Sequence, residues 1–211
     1  LVVGSGLVVG NLLFFKAIQI GNVSLVGPIS ELWSVFTVIA AALFLGEMLS
    51  SIQIVGVAIA FAGIFVVSKH SHFSKQLSSK SIHYALAAAV VWGCTWFLVK
   101  PLVDSAGVVG AFVLYEGVGT IVLLAWGLAK RELKPPDKIL LKPALLQMVA
   151  YLFETWGILI ATVSLVSVVF TPAYVLVLIP ASAFFLKEKL EARHYAGIAM
   201  LLFGLILITL G

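Results

Sequence analysis

The chain has 211 residues, 62% of them hydrophobic and 10% charged, with a formal net charge of +4. Soluble domains carry about 25% charged residues, and a chain of this size cannot hide so much apolar surface in one core, so lipid is the expected solvent and partner. The charges fall in short segments between apolar runs, which excludes the continuous basic face of a nucleic-acid binder.

Eight apolar segments follow one another, at roughly 1–20, 24–45, 52–68, 83–103, 108–129, 143–163, 168–186 and 194–210. Most approach the roughly 20 residues needed to cross about 30 Å of hydrocarbon at about 1.5 Å per residue. The third and eighth lie nearer the short limit. The sixth and seventh are hardest to separate, because no charge stands between Leu159 and Leu186. Inside lipid every backbone polar group must bond internally, so only helices or closed barrels span. Stretches 54–67 and 199–210 are apolar all round rather than alternating, which disfavours barrel strands. The expected class is all-α, a polytopic integral membrane protein.

The longest connections, 69–82 and 130–142, are too short to fold alone. Function therefore lies within the membrane or at its surfaces. Lys and Arg gather in the 69–82, 130–142 and 187–193 loops. The positive-inside rule puts those loops in the cytoplasm and the C-terminus outside.

The chain repeats itself. Residues 44–63 align without a gap to 185–204, pairing Phe44 with Phe185, Leu45 with Leu186, Glu47 with Glu188, Leu49 with Leu190, Gly56 with Gly197, Ala58 with Ala199 and Gly63 with Gly204. Leu and Ala match easily in apolar sequence; a Glu and two Gly at fixed offsets do not. In each copy a helix ends at Phe-Leu, a Glu occupies a polar turn, and a helix with two spaced glycines follows. Those glycines allow close backbone approach by a neighbouring helix. Glu47 and Glu188 are read as structural caps, since a carboxylate suits a helix N-terminus. Five helices per copy, an odd number, gives inverted-topology repeats, a plan of secondary transporters. The first copy shows three helices, so about two are expected to precede Leu1.

Residues 17–67 resemble the end of an EamA domain of the drug/metabolite transporter superfamily, and 83–211 resemble a complete one. The clearest piece is FFLKEKLEARHYAGIAMLLFGLILI, from Phe184 onward. The resemblance implies a ten-helix fold of two inverted repeats of five, of which about eight helices are present. The division it implies is 1–68 for the last three helices of the first repeat, 69–82 for a basic linker and 83–211 for the second repeat. It further implies alternating-access transport of a small-molecule solute, with export the family-level expectation, and it puts the C-terminus in the cytoplasm, against the charge count. The expected membrane is the plasma (inner) membrane of a prokaryote. A homodimer is left open as a partner.

Charge at membrane depth costs about 2.5–3.5 kcal/mol on insertion scales, so an intramembrane carboxylate is a functional candidate. Glu154, in the sixth segment, is the first, with Tyr151 one turn before it. Glu31 follows Pro28 and Ser30, where a distorted helix exposes backbone to a cavity; by resemblance its helix borders the central cavity. Glu116 is also deep, although the resemblance places its helix more peripherally. All three are candidates for solute or proton contact. Trp92 and Trp96, four apart, share a face that can wall a flat or cationic solute. Lys16 and Lys100 are read as snorkelling to the interface. Pro172 and Pro180 are expected to kink the seventh segment. Cys94, the single cysteine, reads as a buried packing residue.

His70, His72, His83 and His194 form no metal-ligand spacing, and no metal or other cofactor is expected. No Gly-Lys pair, H-E-x-x-H or G-x-S-x-G occurs, so neither ATP-driven pumping nor embedded hydrolysis has a motif. The chain is read as a non-enzyme. The competing readings are a membrane-embedded enzyme or lipid carrier, which would place its reactive groups near one interface, and a non-transporting assembly partner, which would tolerate loss of Glu154.

Overall fold

A computed structural model describes residues 1–21, 23–68, 79–131, 138–185 and 192–210. Every regular element among them is helical: α1 Val2–Ile20, α2 Val23–Ser30, α3 Trp33–Leu45, α4 Ser51–Ser68, α5 Ser79–Trp96, α6 Val99–Lys130, α7 Lys138–Ile160, α8 Val163–Phe185 and α9 Ala192–Leu210. Residues 69–78, 132–137 and 186–191 of the basic loops, and with them Glu188, His70 and His72, lie outside the described residues.

The outer surface is apolar. Val109, Ile121, Leu146, Phe153, Ile160, Val177 and Leu210 are each more than 60% exposed. Water would penalise such a surface, while hydrocarbon accepts it. Helices α1 and α6 are long and apolar enough to cross a bilayer by themselves.

Three spans differ from their expected form. The second segment is two helices, α2 and α3, broken at Glu31–Leu32. There the ladder tightens to i−3 bonds, with Leu32 N–H on Ile29 O at 3.2 Å and Val35 N–H on Leu32 O at 3.0 Å. The fourth segment ends early, at Trp96, and a turn through Phe97 and Leu98 starts α6. Within α6 the backbone leaves helical space at Gly107 (φ 70°, ψ 171°), so two helical stretches meet there and the segment boundary expected between 103 and 108 falls at that break. Finally, α7 and α8 part at Ala161–Thr162, earlier than 163–168. The Thr162 hydroxyl accepts the Leu165 N–H at 3.2 Å, the bond of an N-cap. Helix α8 continues through Pro172 and Pro180.

Helix α4 lies along α9; α1 lies against α5 and α6; α3 sits between α5 and α8; α7 leans on α6 and α8. The α4–α9 contact is made by the repeated glycines. A Cβ on Gly56 would come 2.8 Å from the Gly204 carbonyl oxygen, and one on Gly63 would come 2.9 Å from that of Gly197. Gly56 corresponds to Gly197 in the repeat and Gly63 to Gly204. The first glycine of each copy therefore meets the second of the other, the reciprocal pattern of a two-fold contact between antiparallel helices.

The turn after α3 is set by Gly46, whose left-handed φ of 70° ends the helix with its N–H on Ala41 O. It delivers Glu47 to the start of α8, where the carboxylate accepts Val163 N–H at 3.2 Å and Ser164 N–H at 2.9 Å. Helix α4, which follows Glu47 in sequence, has its own capping box instead: Ser50 Oγ accepts Gln53 N–H at 3.2 Å and Gln53 Oε1 accepts Ser50 N–H at 2.8 Å.

One reading of a single residue changes. Cys94 is exposed on the outer face of α5 rather than buried; its neighbours Gly93 and Thr95 turn inward instead. Lys100 Nζ bonds Asp104 Oδ1 at 2.9 Å, one turn along α6, while Lys16 is exposed.

Candidate functional site

A cavity of about 400 Å³ opens between α1, the α2–α3 break, α5, α6, α7 and α8. Its walls include Glu31, Glu116, Glu154, Tyr151, Trp92 and Trp96 together. Glu116, on the helix expected to be more peripheral, reaches it because α6 packs on both α1 and α7.

The broken helix puts Glu31 there. With the chain leaving α2 at Ser30, the Glu31 carbonyl takes the Ser34 hydroxyl at 3.2 Å, and Trp33 Nε1 donates to Glu31 Oε2 at 3.3 Å. The second break, after Trp96, does the same for an aromatic ring. Trp96 stands at the centre of a ring cluster, its centroid 6.0 Å from Trp33, 6.0 Å from Tyr115 and 6.1 Å from Tyr151. The Trp33 and Tyr115 contacts are edge-on, the arrangement ring quadrupoles favour. Trp92, one turn earlier, packs on Phe14 of α1 at 5.3 Å. It comes close because Gly10 has no side chain to hold it off.

One wall is fixed by hydroxyls. Tyr115 on α6 and Thr155 on α7 share a hydrogen bond of 2.9 Å, and Thr155 donates to Tyr151 O at 2.7 Å. This tie holds α6 to α7 beside Glu154. The Glu154 side chain is itself only 5% exposed, and its Oε1 has no hydrogen-bond partner among the described residues. Ser30 Oγ and Trp96 Nε1 are in the same condition. Buried polar atoms are ordinarily bonded, and in a water-poor setting an orphan is costly. Three of them around one cavity mark a place built for something polar to enter.

Sequence reasoning missed Asn11, Gln147, Tyr115 and Thr120, which also line the cavity. Asn11 and Gln147 stand as single amides in apolar runs and were open to the reasoning applied to the carboxylates. Among the described residues no group of three or more His, Cys, Asp or Glu is arranged to hold a metal.

The chain matches the family of EamA-like transporters over residues 1–69 and 79–210. It belongs to that family. As an EamA-like protein it is an integral membrane protein of a transporter family, and its fold agrees with that of a solved structure. A crystal structure described only as that of a protein superposes with a TM-score of 0.78 over 99% of this chain and 75% of the other, at 20% identity. At that identity the likeness speaks for the fold. A shorter similarity, 41% identity over 68 residues, links this EamA-like chain to a protein named "Probable terminal-alkyne amino-acid exporter" from Streptantibioticus cattleyicolor. The matched stretch is 32% of this chain and 22% of that exporter.

Proposed function

We propose that the protein is a secondary transporter that exports a small organic solute by alternating access, with the cavity between α1, α2–α3, α5, α6, α7 and α8 as its solute site. Glu31, Glu154, Glu116, Tyr151, Trp92 and Trp96 are the residues proposed to meet the solute or the coupling proton. Residues 1–68 and 83–211 are the proposed parts of two inverted repeats, joined by 69–82. The proposed setting is the plasma membrane of a prokaryote.

The observation that carries the reading is the buried Glu154 carboxylate with its unpaired Oε1 in a cavity lined by two further carboxylates. A carboxylate at membrane depth is expensive and is kept where a solute or ion path needs it. Discontinuous helices beside such a site, as at Glu31–Leu32 and Phe97–Leu98, are a recurring way to expose polar backbone to a transported species. Membership of a transporter family and the exporter name of one partial relative support transport and its outward direction.

The test is efflux from proteoliposomes holding the full-length protein and loaded with a metabolite panel. Protein-dependent loss of one class of solute, reduced about tenfold or more in Glu154→Gln, is expected. A panel retained equally by protein-containing and empty vesicles would overturn the proposal.

A further inference from the structure

Charge in the cavity is one-sided. Glu31, Glu116 and Glu154 come from three different elements, and among the described lining residues there is no Lys, Arg or His. An anionic solute would lose its water beside three carboxyl groups with no cation to receive it, and burying an unpaired charge is strongly unfavourable. A cation meets the opposite situation. The unpaired Glu154 Oε1 is an acceptor waiting at 5% exposure, and the rings gathered on Trp96 offer π-faces that attract cations, most strongly for Trp. The unpaired Trp96 Nε1–H donates as readily to a neutral hydroxyl or amide oxygen as to a carboxylate, so it does not replace the missing positive charge. At about 400 Å³ the cavity lies near the lower end of the roughly 300–1,000 Å³ of small-molecule sites.

We propose that the solute is a monovalent organic cation, an amine or quaternary ammonium with an apolar body of ring size and no carboxylate, its charge set against Glu154 and Glu31 and its body among the rings around Trp96. This names the substrate class of the cavity proposed above and rests on that reading.

Phenethylamine, phenylalanine and hydrocinnamate share one body and carry a positive, a zwitterionic and a negative charge at neutral pH. Equilibrium binding of each, radiolabelled, to the purified full-length protein in detergent is the experiment. Phenethylamine is expected to bind about tenfold or more tightly than either of the others, and Glu154→Gln and Glu31→Gln, each checked to be monodisperse, are expected to shrink that preference. Phenylalanine or hydrocinnamate binding as tightly as phenethylamine overturns the proposal, and so does an absence of phenethylamine binding to the unmutated protein. The same solutes in proteoliposomes separate the two readings. Export of phenylalanine or hydrocinnamate ahead of phenethylamine keeps the carrier and overturns the cation class. Tight phenethylamine binding without protein-dependent movement of any solute keeps the cation class and overturns the carrier.

Discussion

The carboxylate of Glu47 holds the backbone N–H of Ser164 at 2.9 Å, 117 residues further along the chain. With Val163 N–H at 3.2 Å it satisfies two of the four donors a helix start leaves open. A turn between α3 and α4 thus closes the N-terminus of α8, and the two halves of the chain are tied at one end of the cavity's framework.

Removing that tie costs stability. Glu47→Ala is expected to destabilise the protein by about 1–2 kcal/mol, the usual range for a lost N-cap with its dipole contact. Glu47→Gln, which keeps an acceptor, loses less. Thermal unfolding in detergent, read against Ser50→Ala at the start of α4, checks the order. Equal melting of Glu47→Ala and the unmutated protein would contradict it.

The α4–α9 contact tolerates no added volume. In Gly204→Leu a side chain must grow from a position where even a Cβ lies 2.7 Å from Ala60 N and Gly56 O. Overpacking of this kind costs about 1–3 kcal/mol, read as a lower melting temperature and lower yield of monodisperse protein. Gly117→Ala is the control, because a Cβ there meets nothing within 4 Å and Ala favours helix over Gly by about 1 kcal/mol.

The Tyr115–Thr155 hydrogen bond couples two spans, and its worth is separable from packing by a double-mutant cycle. Tyr115→Phe and Thr155→Val are each expected to destabilise, and the double variant by less than their sum. The coupling energy is expected near 0.5–1.5 kcal/mol, toward the lower end found for bonds between membrane helices. Strict additivity would mean the bond contributes nothing.

Proton coupling through the cavity carboxylates predicts a transport rate that varies between about pH 5 and pH 8 and a flatter profile when a coupling residue becomes an amide. Glu31→Gln, Glu116→Gln and Glu154→Gln, assayed in proteoliposomes at equal protein density, identify which carboxylate carries the proton. Three profiles superimposable on the unmutated one would remove the carboxylates from coupling.

Much of this architecture can be read from residue order, and the exceptions have physical causes. A carboxylate in an apolar run is costly enough to be conspicuous, which is why Glu31, Glu116 and Glu154 stood out and why all three line one cavity. A hydroxyl is not conspicuous, because in a helix it can bond its own preceding turn, as Thr155 does with Tyr151 O at 2.7 Å. Tyr115 and Thr155 therefore left no mark in the pattern. The break at Glu31–Leu32 had Pro28 to announce it, and the one at Phe97–Leu98 had Pro101, which sits in the first turn of α6, where a missing N–H is tolerated and the helix before it has to end. Hydropathy is level across the α7–α8 boundary and does not place it; Thr162, a capping residue ahead of an apolar run, is the cue. Buried cysteines are common, which favours an inward Cys94, but helical phase turns Gly93 and Thr95 inward and leaves Cys94 exposed.

Where Gly56 lies on Gly204 and Gly63 on Gly197, two main chains touch with no side chain between them. A seam without cushioning has little slack, and neither helix can slide without climbing over the other's peptide groups. In the proposed cycle α4 and α9 therefore turn as one spindle. The flexing that exposes the solute chamber first to one side and then to the other is carried by the joints at 31–32, 97–98 and 161–162, where the helical ladder is already interrupted.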